Sequence, residues 1–134
     1  MIEQLSIFTE NRRGAARKIF GILAGKNINV LCLCNSDSGE FGTMRLILSD
    51  TATAAEALKS EGYLVKADHV LAAELDDRPG SLESLLAHIE EMQVNIDYMY
   101  VGYMRESRSP VIVVRCDDMD IVEQNLRASG YSVN

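Results

Sequence analysis

Two short segments carry the residue types that could hold a small ligand. Asn11-Arg12-Arg13-Gly14 and Asp77-Arg78-Pro79-Gly80 each follow an apolar, strand-like stretch, Leu5 to Phe8 and Val70 to Leu75, and each opens a helix-like one. The start of a helix leaves backbone N–H groups unpaired and carries partial positive charge, so it suits a carboxylate or a phosphate. Gly14 and Gly80 admit backbone angles closed to other residues and let a ligand approach the chain closely. Pro79 stiffens its turn. Oxygens of Asn11 and Asp77, with Asp76 behind, can accept hydrogen bonds from an ammonium group. Carboxylate at the helix and ammonium at the side-chain oxygens describe a zwitterionic amino acid. A plain strand-to-helix turn with a capping residue explains the same residues without a ligand, and the local sequence leaves both readings open.

Other candidates are weaker. Cys32-Leu33-Cys34 puts two thiols two residues apart on a strand, but no second ligand pair follows at metal-site spacing, and core packing explains them. His69 and His88 show neither metal spacing nor a Cys/His catalytic pattern. Tyr98, Tyr100 and Tyr103 suit a pocket wall or an interface. Arg12, Arg13 and Arg17 suit a second carboxylate or simple solvation. Arg12 or Arg13 with Asn29 would supply the residue types of an acylphosphatase-like hydrolase, an Arg to cradle phosphate and an Asn to orient water, but a Gly-rich cradle is missing.

The two turns belong to an internal repeat. Asn11 to Asp77 is an offset of 66 residues. At that offset the helical stripe Ala16, Ile19, Phe20, Leu23 becomes Leu82, Leu85, Leu86, Ile89, again at i, i+3, i+4, i+7. Ile28-Asn29-Val30 becomes Val94-Asn95-Ile96. Two residues are then gained in the second copy's hairpin. At the new offset of 68 (Met44 to Ile112), Leu58 matches Leu126 and Gly62-Tyr63 matches Gly130-Tyr131. The copies are placed at residues 1–66 and 67–134, with Lys66-Ala67-Asp68 barely a linker.

Each copy reads strand, helix, strand, strand, helix, strand. The first spans a strand at 2–9, a helix from Gly14 to Lys26, strands Val30–Cys34 and Thr43–Leu48 around a turn-rich 35–42, a helix Ala52–Ser60 and a strand near Tyr63. The second spans Val70–Leu75, Ser81–Gln93, Ile96–Val101, Val111–Cys116, Met119–Ser129 and Tyr131–Val133. This predicts an α+β chain of two tandem ferredoxin-like βαββαβ sandwiches with antiparallel sheets. Alternation puts Val30, Cys32 and Cys34 on one strand face against Leu31 and Leu33, and Ile96, Tyr98 and Tyr100 against Met99 and Val101. Sheets apolar on both faces need a cover besides the helices, from the other copy or another chain.

The run Asp77-Arg78-Pro79-Gly80-Ser81-Leu82, a helix, and then Val94-Asn95-Ile96 leading into a strand resembles the ACT domain, a family of small ferredoxin-like regulatory modules that bind amino acids. The resemblance spans both copies and is closest to stand-alone tandem-ACT proteins of bacteria. It implies ligand sites at Asn11, Arg13, Gly14 and Ala15 in the first copy, and at Asp77, Pro79, Gly80, Ser81 and Leu82 in the second. Asn29 and Asn95 match the family's Asn before the second strand, or serve as turn residues. The first copy departs from the pattern, with Arg13 in place of Pro and Ala15-Ala16 in place of a larger pair, so unequal sites are expected.

Composition bounds the rest. The 134 residues are 47% hydrophobic without Trp, so Leu, Ile, Val, Ala and Met must form the core. A net charge of −7 repels phosphate backbones and argues against nucleic acid. Apolar runs fall short of the about 20 residues that span a bilayer. Met1-Ile2-Glu3-Gln4 does not read as a signal peptide. Three Cys without framework spacing fit reduced thiols in the cytoplasm. The expectation is a cytoplasmic amino-acid sensor, without catalytic activity or cofactor, homodimeric, with a free amino acid as ligand and a separate metabolic enzyme as target. A ligand-independent interaction module would have much the same sequence.

Overall fold

The computed structural model describes residues 1–104, 107 and 109–134. The chain runs β1 (Ile2–Glu10), α1 (Ala15–Gly25), β2 (Val30–Ser38), β3 (Phe41–Leu48), α2 (Thr51–Ser60), β4 (Leu64–Glu74), α3 (Ser81–Glu91), β5 (Ile96–Gly102), β6 (Val111–Cys116) and α4 (Met119–Ala128). It divides into a first unit, Glu3–His69, and a second, Val70–Asn134 together with Met1–Ile2. The longer hairpin expected of the second copy passes through residues 105, 106 and 108, which lie outside the described residues.

Both units follow the ferredoxin-like order. In the first the strands run β2-β3-β1-β4, and in the second β4-β6-β5. The β1–β3, β2–β3, β4–β6 and β5–β6 pairs are antiparallel. The C-terminal segment completes the second unit beside β4. Ala72 and Asn134 exchange N–H to carbonyl bonds at 2.8 Å, Glu74 N–H donates to Ser132 O at 2.9 Å, and Val133 bridges Ala73. The short strand expected at 131–133 is thus a single bridge with flanking bonds.

Each unit packs its helices on one sheet face. In the first, Ile19 and Leu23 of α1 and Ala54 and Leu58 of α2 meet Leu5, Ile7, Met44, Leu46 and Leu48. In the second, Leu85 and Ile89 of α3 and Val122 and Leu126 of α4 meet Leu71, Ala73, Ile112, Val114 and Cys116. Of the helical stripes read from the 3.6-residue period, Ile19, Phe20 and Leu23 and then Leu82, Leu85 and Ile89 make these contacts, while Ala16 is exposed and Leu86 lies outside the second core.

Three features depart from expectation. First, the linker does not exist: Lys66-Ala67-Asp68 lies inside β4, one strand of 11 residues. Second, Asn35 to Ser38, read as turn, extends β2, because the ladder to β3 continues to Ser38↔Phe41 and pairing outweighs the low strand propensity of these polar residues. Third, both second strands carry a register shift, between Val30 and Cys32 and between Ile96 and Tyr98. The extra residue reverses the faces beyond it. Cys32 pairs with Ile47 and Leu33 with Leu46, so Leu33 joins Val30 on the helix side and Cys32 and Cys34 face away. In the second unit Met99 and Val101 join Ile96, and Tyr98 and Tyr100 face away. On the outer face of the central strands Gln4 in the first unit, and Val70, Ala72, Val111 and Val113 in the second, are fully buried. The edge strands stay open, with Leu33 47% and Met99 42% exposed.

Candidate functional site

The two turns share one backbone scaffold. Arg12 N–H donates to Glu10 O (3.1 Å), Ala15 N–H to Arg12 O (3.2 Å) and Lys18 N–H to Gly14 O (3.1 Å). The second turn repeats this with Arg78 to Asp76 (2.8 Å), Ser81 to Arg78 (3.4 Å) and Ser84 to Gly80 (2.9 Å). Gly14 (φ 84°, ψ −8°) and Gly80 (φ 89°, ψ −8°) precede their helices in the left-handed region, where a side chain would be strained. Each turn also carries an exposed ion pair: Arg12 Nε to Glu10 Oε2 at 2.9 Å, and Arg78 Nε to Asp76 Oδ2 at 3.3 Å.

The expected ligand residues do not all gather at the turns. Asn11 points to the β2–β3 hairpin, donating from Nδ2 to Asp37 Oδ1 (2.9 Å) and Gly39 O (3.1 Å). Arg13, Asp77 and Pro79 are exposed. Leu82 packs against the second core. Asn29 and Asn95 lie at the far end of their helices. Asn29 N–H donates to Ser49 Oγ (2.9 Å) and Ser49 N–H to Asn29 O (3.0 Å). Asn95 N–H donates to Asp117 Oδ2 (3.4 Å) and Asp117 N–H to Asn95 O (3.1 Å). Each Asn thus braces the start of one strand against the end of its neighbour. An 11-residue α1 separates Asn29 from Arg13 by roughly 16 Å, so one small substrate within the unit cannot meet both. This removes the geometry an acylphosphatase-like step needs. Among the described residues no His/Cys/Asp/Glu group could hold a metal ion.

Beside each turn lies a cleft between the helix start and the Gly-Tyr that follows the second helix. In the second unit it measures about 410 Å³ and is walled by Glu74, Asp76, Arg78, Ser81, His88 and Tyr131, among others. In the first it measures about 260 Å³, with Glu10, Arg12, Ala15, Lys18 and Tyr63 in its wall. The Gly-Tyr closes both helices alike. Gly62 (φ 86°) donates to Lys59 O and Tyr63 to Leu58 O, and Gly130 (φ 91°) donates to Arg127 O and Tyr131 to Leu126 O. This brings the tyrosine across from the turn.

The tyrosines have different neighbours. Lys18 Nζ sits 5.7 Å above the Tyr63 ring centre. Against Tyr131 stands His88, whose Nδ1 lies 2.9 Å from Ser84 O and 3.4 Å from the Tyr131 hydroxyl. A carbonyl only accepts, so Nδ1 carries the proton and Nε2 of the neutral ring is an acceptor. Ser81 Oγ is buried and has no hydrogen-bond partner among the described residues. Of the expected site residues only Ala15 and Ser81 line these clefts. Tyr63, Tyr131, Lys18 and His88 were not anticipated as site residues, although the repeated Gly-Tyr was visible in the sequence.

Two βαββαβ units, each with a Gly-bearing strand-to-helix turn, define a paired regulatory-module fold. The model of the ACT domain pair matches residues 1–128, and the chain belongs to that family. A solved protein of Bacteroides thetaiotaomicron is similar over 99% of this chain and 91% of its own, with 30% identity and a TM-score of 0.90. The ligand-free regulatory subunit of aspartate kinase from Thermus thermophilus shares the fold (TM-score 0.66, 19% identity, 94% of this chain and 88% of that one). Aspartokinase III of E. coli, solved with lysine and aspartate, does so at TM-score 0.53 and 19% identity, over 94% of this chain and 30% of that one. No curated protein matches the chain in sequence.

Proposed function

We propose that the chain is a regulatory protein that binds a free amino acid and has no catalytic activity of its own. The observation that carries this is the pair of Gly-bearing turns on one hydrogen-bond scaffold, each beside a cleft large enough for an amino acid. Membership of the ACT domain pair family supports it, as does the fold shared with a regulatory subunit of aspartate kinase. Ligand residues then come from Asn11, Arg13, Gly14 and Ala15, and from Asp77, Pro79, Gly80, Ser81 and Leu82. Asn29 and Asn95 enter a site only where a second module brings its own turn to them. The target in this reading is a separate metabolic enzyme, and the setting is the cytoplasm. No described helix is long and apolar enough to cross a membrane.

Self-association is part of the reading. Phe8, Phe41 and Leu64 are 45%, 61% and 69% exposed and line one groove of about 420 Å³ on the first unit. A homodimer would cover them, and binding would act by shifting the population of one quaternary arrangement.

The test is isothermal titration calorimetry of the full chain with each common amino acid at millimolar concentration. A saturable heat for one amino acid or a related group is expected. No heat and no thermal shift with any of them would leave a ligand-independent interaction module.

A further inference from the structure

The internal repeat gives each wall residue of the second-unit cleft a counterpart in the first unit, and those of His88, Ser109 and Ser132 (Ile22, Phe41 and Leu64) lie outside the first-unit cleft. Ser81 stands where the first unit has Ala15, Ser84 where it has Lys18, and Ser129 where it has Glu61. Glu74, Ser109 and Ser132 replace the apolar Phe8, Phe41 and Leu64. The backbone beneath is the same, so the fold does not demand these differences. In the first unit Lys18 stands in the cleft beside the turn, and Phe8, Phe41 and Leu64 line a neighbouring apolar groove of about 420 Å³. The second unit lines the same region with hydroxyls.

Lys18 closes the first cleft by reaching over Tyr63. Ser84 is too short to reach Tyr131, and His88 meets that ring edge-on from the side, centroids 5.4 Å apart. The volume left is about 410 Å³ against about 260 Å³. Ser81 Oγ, buried without a partner among the described residues, is a group that a bound oxygen or ammonium would complete once the hydroxyl turns into the cleft.

The walls also restrict the ligand. Glu74 and Asp76 bring two carboxylates and Arg78 one guanidinium. Arg78 is already paired with Asp76, so a dianion such as phosphate meets net negative charge, and a simple cation leaves the hydroxyl donors unmatched. A zwitterion engages both signs. Leu75 is the one aliphatic side chain among the described residues of this wall, and the His88 and Tyr131 rings stand among the hydroxyls of Ser81, Ser84, Ser109, Ser129 and Ser132, so a large aliphatic side chain would strip water from hydroxyls without replacing it.

From these differences we infer that the units have diverged, and that the second-unit cleft alone takes ligand, a free amino acid whose side chain is small and polar. This rests on the amino-acid reading above and narrows it to one cleft and one chemical class.

The experiment is calorimetry on the full chain and on two variants, Ser84→Lys and Ser81→Ala. Each installs the residue the first unit carries at the same place on the same scaffold, and circular dichroism checks the fold. Hydroxyl, amide or carboxylate amino acids are expected to bind the parent chain, and both variants to bind about tenfold more weakly or worse. Should Ser84→Lys fail to fold, Ser81→Ala decides alone. Binding that survives both substitutions, or is lost instead in Lys18→Ala, overturns the cleft assignment and leaves the sensor reading standing. A branched aliphatic or aromatic amino acid as the tightest ligand overturns the polar class. Heat with inorganic phosphate but no amino acid, or with nothing, overturns the sensor reading and this inference with it.

Discussion

The His88 ring meets Tyr131 edge-on, with ring planes at 77°, while its Nδ1 is anchored to the Ser84 carbonyl one helical turn back. The ring is held from two directions, by its own helix and by the residue after the Gly130 turn. His88→Ala removes a wall of the second cleft and a contact between α3 and the segment after α4. It should destabilise by about 1 kcal/mol and lower ligand affinity, while His88→Phe keeps the ring contact and recovers most of the stability. Urea titration of the two variants checks this.

Gly14 and Gly80 can be tested without crowding, because a Cβ at either would meet nothing within 4 Å. The positive φ is then the whole effect. Gly14→Ala and Gly80→Ala should each lose about 1–2 kcal/mol in urea melts, with closely similar values because the two turns share one geometry.

Ile19 and Leu85 occupy equivalent places on α1 and α3, and both are fully buried in their cores. Ile19→Ala and Leu85→Ala should each cost about 2–5 kcal/mol, measured by denaturant unfolding.

Burial pushes the Cys116 thiol up to about 11. Cys34 is only half-buried. Ellman's reagent at pH 8 should therefore modify Cys34 in the native protein and reach Cys116 only after denaturation. The raised value also fixes a sign: this thiol's contribution to stability is complete below pH 9 and is lost as pH rises toward 11.

Two carboxylates add to the loss of stability in acid. A hydrogen bond from the Met1 ammonium, then one from Arg127, holds Glu123 below the ordinary carboxylate range. Asp50 is lowered by the Thr53 hydroxyl and then by the Thr53 N–H, as the cap of α2. Both contribute fully above about pH 4.5 and lose that contribution as pH falls through their lowered values. The melting temperature of Glu123→Gln should be lower at pH 7 and should fall less steeply than the parent's between pH 5 and pH 3.

Much of the architecture was legible because it follows from period. The stripes through Ile19 and Leu85 and the Gly-Tyr pairs each satisfy a local rule, and their repetition exposed the two units. What escaped notice depended on partners distant in sequence. The reversed faces beyond Val30 and Ile96 arise from one unpaired residue in a ladder, which alternation cannot reveal. Ser36 and Asp37 look like turn residues until β3 supplies their hydrogen bonds. The cleft walls come from three segments, so Tyr131 could not be assigned to the Gly80 turn from spacing alone. Asn11, read as a ligand group through its oxygen, donates from Nδ2 to Asp37 of the β2–β3 hairpin, a partner 26 residues away that spacing does not reveal.

β4 ends one unit and begins the next without a residue between them. Its side chains alternate, with Leu71 and Ala73 toward the helices and Val70 and Ala72 away from them. Inserting or deleting a single residue within 70–74 would exchange the two sets, whereas a change of two would preserve the alternation. An odd change is therefore tolerated in β4 only where a local register shift absorbs it, as one does in β2 and in β5.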